Sequence, residues 1–106
     1  MQFKEIKGEI LNTHIINPIH YNYNDIIFQL EVQTEEGWMA QLMFEPKQIL
    51  KIMREFDVRF LPEIHLKECL LLEDKDYPNK VPIGVKHKED SEYIQTQNEF
   101  FSYLWK

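Results

Sequence analysis

His65 and Cys69 stand four residues apart, a spacing that on a helix would put an imidazole and a thiolate on one face to share a metal ion. The flanking residues predict a strand instead, and there the same spacing separates the two side chains by about 13 Å. A structural zinc site also calls for four ligands, so a buried thiol and a partly exposed imidazole are the better reading. His14, His20 and His87 have no Ser or Cys nucleophile near them in a recognisable motif. Two acidic pairs, Glu35-Glu36 and Asp74 with Asp76, have the chemistry for acid–base work or for holding a divalent ion. Both fall in predicted turns without the glycine spacing of a calcium loop, which reads as solvated charge. The glycines Gly8, Gly37 and Gly84 form no G-x-G pair, so a phosphate cradle is not expected. No catalytic, metal-binding or nucleotide-binding pattern stands above chance, and no cofactor is implied.

What remains is recognition chemistry. Trp38, Tyr21 and Tyr23 lie near predicted loops, where aromatics either anchor interfaces or cap a small core. The candidate partner-binding set is Glu31, Glu35, Glu36, Trp38, Met39, Asp74 and Asp76. With 12 basic against 18 acidic residues the formal charge is −6, which opposes the counterion release that draws proteins onto nucleic acid. The acidity is spread over both halves of the chain and is not a tail. A protein with a basic surface is therefore the expected partner, nucleic acid is disfavoured, and no enzyme activity is expected.

The elements that must position these residues follow from periodicity. At 106 residues, with 43% apolar residues including seven Phe, five Tyr and two Trp, the chain suits a single α+β domain spanning residues 1 to 106 with a packed core. One cysteine permits no internal disulfide, the amino-terminal residues carry no apolar signal region, and the longest aliphatic run is Leu70-Leu71-Leu72. The expectation is a cytoplasmic protein without a membrane span.

Phe3 to Ile16 alternates like a long strand, with Ile6, Gly8, Ile10, Asn12, His14 and Ile16 on one side and Gly8 marking a bulge or bend. Pro18 ends it, and His20 to Asp25 reads as a loop. Ile26, Phe28, Leu30 and Val32 form one face of a second strand. Thr34-Glu35-Glu36-Gly37 predicts a tight turn into a third, Trp38 to Phe44. This hairpin is the firmest element. Its apolar face should meet Ile49, Met53 and Phe56, which leaves Gln29, Glu31, Gln33, Met39 and Gln41 opposite. Pro46 suits the first position of a helix, with Ile49, Ile52, Met53 and Phe56 as its stripe and an end near Asp57.

Ile64 to Glu73 predicts a fourth strand, residues 73 to 80 a polar loop, and Val81 to His87 a fifth strand confined to an edge by Pro82. Ser91 to Lys106 favours a helix, capped by Asp90 or Ser91. Its Phe100, Phe101, Tyr103, Leu104 and Trp105 are too many for one narrow stripe and should fold back over the sheet or meet a partner. The fold class is α+β: an antiparallel sheet of about five strands in the order β-β-β-α-β-β, OB-like or partly rolled, with one central helix and a C-terminal helix.

Gly37-Trp38 with its short strand, the Ile49 to Phe56 helix and the Leu66-Lys67-Glu68-Cys69-Leu70 strand together resemble small prophage-encoded accessory proteins, over residues 26 to 87. The resemblance transfers no functional residue. It implies a small acidic inhibitor or accessory protein of a phage or mobile element. The alternative is an OB-like domain that stacks single-stranded nucleic acid on its aromatics.

Overall fold

The structure is a computed structural model that describes residues 3–18, 23–76 and 82–101. Its strands are β1 (Phe3–Ile16), β2 (Ile27–Thr34), β3 (Met39–Phe44), β4 (Glu68–Asp74), β5 (Pro82–Lys86) and β6 (Ile94–Gln95), and its helices are α1 (Ile49–Glu55) and α2 (Asn98–Phe101). The strands form one antiparallel sheet in the order β3-β2-β1-β4-β5-β6. It curls into a half-barrel around α1. Among the described residues six strands stand where about five are expected, because Ile94–Gln95, expected within a helix, pairs with Gly84 and Val85.

β1 is the pivot, pairing with β4 through Phe3–Glu9 and with β2 from Gly8 to Ile16. Gly8 is where both neighbours meet. A Cβ there would lie 2.5 Å from Val32 Cγ1 and 3.1 Å from the Gln33 carbonyl, so the glycine permits close approach and does not mark a bulge. The bulge comes later, between Ile10 and Asn12. Because it adds one residue, it reverses the side-chain parity. Ile6 and Ile10 point into the core, but beyond the bulge Thr13 and Ile15 take the inward register opposite Leu30 and Phe28. The expected single face from Ile6 to Ile16 is thereby corrected.

The hairpin forms as its alternation predicts, with Phe28 opposite Phe44, Leu30 opposite Leu42 and Val32 opposite Ala40. Ile26 is the exception. It precedes the strand and is exposed, while Ile27 is buried on the other face. The concave face carries the principal core, in which Phe28, Phe44, Phe56, Ile52 and Leu71 are wholly buried. Each such side chain contributes roughly 2–3 kcal/mol. A smaller cluster of Ile27, Met43 and Phe101, flanked by Ile16 and Tyr23, covers the convex face at the base of the hairpin. Gln29 is consequently buried and does not belong to an open polar face.

Pro46–Gln48 forms a 3₁₀ turn that leads into α1, and the Gln48 side chain accepts a hydrogen bond from the Glu45 N–H at 2.8 Å. At the far end Asp57 adopts φ 54°. The Val58 N–H donates to the Met53 carbonyl (3.1 Å) and the Asp57 N–H to that of Arg54 (3.3 Å), the two bonds of a Schellman stop with Asp where Gly is usual. Ile49, Ile52, Met53 and Phe56 pack on the core as their spacing predicts.

The expected strand from Ile64 starts later. Leu61–Ile64 is a second 3₁₀ turn, and Leu66 sits at φ 66° with its N–H donated to the Ile10 carbonyl at 2.7 Å. Glu73 and Asp74 end β4 and are buried, which corrects their placement in a solvated loop. β5 is not an edge. Pro82 opens it, where no ladder N–H is lost, and β6 covers its outer side.

The two ends of the half-barrel are joined by side chains. Asn98 accepts from the Met43 N–H (2.6 Å) and donates to the Gln41 carbonyl (2.8 Å), and the Gln97 N–H donates to the Met43 carbonyl (2.8 Å). Among the described residues of the tail Asn98–Phe101 is helical and Ile94–Gln95 is a strand, so the helix expected from Ser91 starts later than its sequence suggests. Residues 19 to 22, 77 to 81 and 102 to 106, which include parts of the expected loops and most of the aromatic tail, lie outside the described residues.

Candidate functional site

The hairpin tip is built by local chemistry. Gly37 at φ 93° lets a three-residue loop close between Thr34 and Trp38, whose backbones bond at 3.0 Å. The Thr34 hydroxyl donates to the Trp38 carbonyl (2.9 Å) and accepts from the Trp38 N–H (3.2 Å). β1 then fixes the tip from the side. The Glu35 N–H donates to the Lys7 carbonyl (2.9 Å), and the Glu35 carboxylate accepts from the Lys7 N–H (3.2 Å). Glu36 accepts from the Trp38 indole (3.2 Å) and from the Lys4 ammonium. That bond, helped by Glu73 and Glu35, raises the Lys4 pKa.

Beside this tip lies an open groove of about 490 Å³ over Gly8, Thr34 and Cys69, where β2, β1 and β4 come together. Among the described residues its rim carries Glu9, Glu35, Glu68 and Glu89 against one lysine, Lys7, and His87. The strand order brings Glu9 opposite Gln33 and Glu68, so carboxylates far apart in sequence converge. The groove therefore has an excess of negative charge over a main-chain floor.

The remaining groups in and around it are held structurally. His87 lies over the Phe56 ring with centroids 5.0 Å apart. Its Nδ1 is 2.6 Å from the Glu68 carbonyl; a carbonyl only accepts, so Nδ1 carries the proton. Burial pushes the Cys69 thiol up to about 12, which keeps it protonated at neutral pH and a poor nucleophile. Glu55, which the sequence does not single out, takes the Lys88 and His87 N–H groups at 2.9 Å each. Burial opposes its ionisation, but those two bonds, the Ser91 hydroxyl and the Lys88 charge outweigh it and hold its pKa below the usual carboxylate value. On the convex face Tyr93 packs over Gly84 and bonds Glu5, while the Lys86 ammonium lies 4.6 Å from the Tyr93 ring. Burial, then the Glu5 bond and charge, drive the Tyr93 pKa up.

Of the candidate partner-binding residues, Glu35, Glu36 and Trp38 come together at the tip, though Trp38 is half-buried against the core. Glu31 and Met39 lie on the convex register of the hairpin, where Glu31 is hydrogen-bonded to His14 and Met39 is exposed. Asp74 and Asp76 are not part of the groove. Asp74 is buried at the end of β4 and accepts from the Asp76 N–H at 3.0 Å. Glu9, Glu68 and Glu89 were missed, since only the strand order unites them. His65 is exposed in the turn before β4 while Cys69 faces the core, and among the described residues no three His, Cys, Asp or Glu side chains gather as metal ligands. No family model, curated protein or solved structure matches the chain.

Proposed function

We propose that the chain is a protein-binding module that presents its acid-rimmed groove and hairpin tip to a basic surface of a host protein, as an accessory or inhibitor of a phage or other mobile element. The observation that carries this reading is the convergence of Glu9, Glu35, Glu68 and Glu89 on one groove beside a tip locked to β1. Clustered carboxylates steer a cationic partner, and the resemblance to prophage accessory proteins suggests the setting. Capture from host lysate with the intact chain tests it. A stoichiometric basic partner should be retained at low salt, released as salt rises, and lost with the double reversal Glu35→Lys/Glu68→Lys. Recovery of no such partner, or equal recovery by the variant, sinks the reading.

A second reading has one specific support. β1 paired with both β2 and β4, a helix between β3 and β4, and the Gln97–Asn98 bridge to β3 support reading the half-barrel as OB-like, a fold that binds single strands. Titration of an oligothymidine at low salt distinguishes it; a flat response removes nucleic acid from consideration.

A further inference from the structure

The sheet covers its edges unevenly. On β3, Gln97 and Asn98 occupy the outward-facing groups of Gln41 and Met43, and β6 covers β5. β1 differs. On the side facing β4 its ladder ends at Glu9, and the last main-chain bonds there join Ile10 to Leu66 and Lys67 (2.7 and 3.0 Å). From Leu11 to Ile16 it pairs only with β2 among the described residues. The register against β2 directs His14 and Ile16 main-chain groups inward and leaves those of Thr13 and Ile15 facing out.

Alongside runs a groove of about 320 Å³ whose one wall is Leu11–Thr13 and whose other is Pro62, Ile64 and His65. Leu11 and Pro62 give it apolar surface, and Ile15, further along the same edge, is 54% exposed. Natural sheets usually blunt such an edge with charge, proline or a cover, and here neither strand residue 13 nor 15 does so.

We propose that this edge accepts an extended peptide segment of a partner protein as an added strand, with main-chain hydrogen bonds to Thr13 and Ile15 and an apolar side chain seated against Leu11 and Pro62. Alternating N–H and C=O groups are complementary to a polypeptide backbone and to no other common ligand. The Pro62–His65 wall selects a single free strand over a second copy of this chain, because the β1 of another molecule brings its own β2 on its far side and would collide there. Among the described residues the rim has no excess charge: its one ionisable group is His65, and the neighbouring His14 is bonded to Glu31. Binding here is therefore insensitive to salt, unlike binding at the acidic groove, and the two can fail separately.

The probe is the neutral peptide acetyl-Ser-Val-Thr-Val-Thr-Val-Ser-amide, titrated into the intact ¹⁵N-labelled protein. The expected result is shifts and slowed amide exchange at Thr13 and Ile15, unchanged between low and moderate salt. Binding should be at least about tenfold weaker with the peptide N-methylated at alternate residues, or with Thr13→Pro, which removes one outward N–H and spares the bonds to β2. The N-methyl peptide keeps the test independent of whether the variant folds. No response at Thr13 and Ile15 overturns the proposal, as does binding indifferent to N-methylation. Concentration-dependent protection of both amides without peptide also overturns it, since that would make the edge a dimer contact.

Discussion

The β4-facing edge of β1 is engaged up to Ile10, by β4 through Glu9 and then by Leu66 and Lys67, while from Leu11 onward it faces a groove. The bulge between Ile10 and Asn12 separates the two regimes. Before it, inward side chains such as Ile6 are wholly buried; after it, Ile15 holds the inward register yet is largely exposed. One strand thus serves as the sheet's anchor for half its length and, among the described residues, pairs on one side alone for the rest. Stability and recognition can be divided along a single element, with one inserted residue marking the boundary.

Truncation on each side of the bulge gives the largest contrast. Leu71→Ala, opposite Ile6 and Val85 in the covered half, should cost about 3 kcal/mol by urea denaturation, whereas Ile15→Ala should change stability by less than about 0.5 kcal/mol. Equal losses would break the division. Gly8→Ala comes next, with an expected cost of about 2 kcal/mol, since its Cβ would meet Val32 Cγ1. Adding Val32→Ala removes that clash and should make the double variant more stable than the two separate losses predict. Strict additivity would show that the Gln33 carbonyl, 3.1 Å away, and not Val32 sets the limit.

The same boundary explains what could be read in the sequence. The hairpin was legible because its period of two runs unbroken into a turn closed by Gly37, and α1 because Pro46 precedes a three-and-four spacing. The bulge was not. No glycine or proline marks Leu11, and apolar residues stand on both parities around it, at Ile10, Leu11, Ile15 and Ile16, so the pattern admits either register. Leu66 at positive φ has no residue-type signal, since glycine or asparagine is the usual occupant. β6 is too short for periodicity to reveal. At the groove, Glu35 was legible as part of the turn, but Glu9, Glu68 and Glu89 read as ordinary solvated charge until three strands and the loop after β5 bring them together.

The smallest effect concerns what holds that last loop in place. Glu55, at the end of α1, accepts the His87 and Lys88 N–H groups and so fixes the chain that carries Glu89 beside the covered half of β1. Its folded-state pKa is lowered, so its contribution is present above the unfolded value of about 4.3 and is lost as pH falls through the lower folded value. The carboxylate is partly solvated, so Glu55→Gln should destabilise by no more than about 1 kcal/mol at neutral pH. The gap between variant and native chain should close in acid. A gap that persists below that range would assign the loss to packing of the side chain and not to its charge. The loop would then be held to α1 by contact alone, and the covered half would owe its order to the core more than to electrostatics.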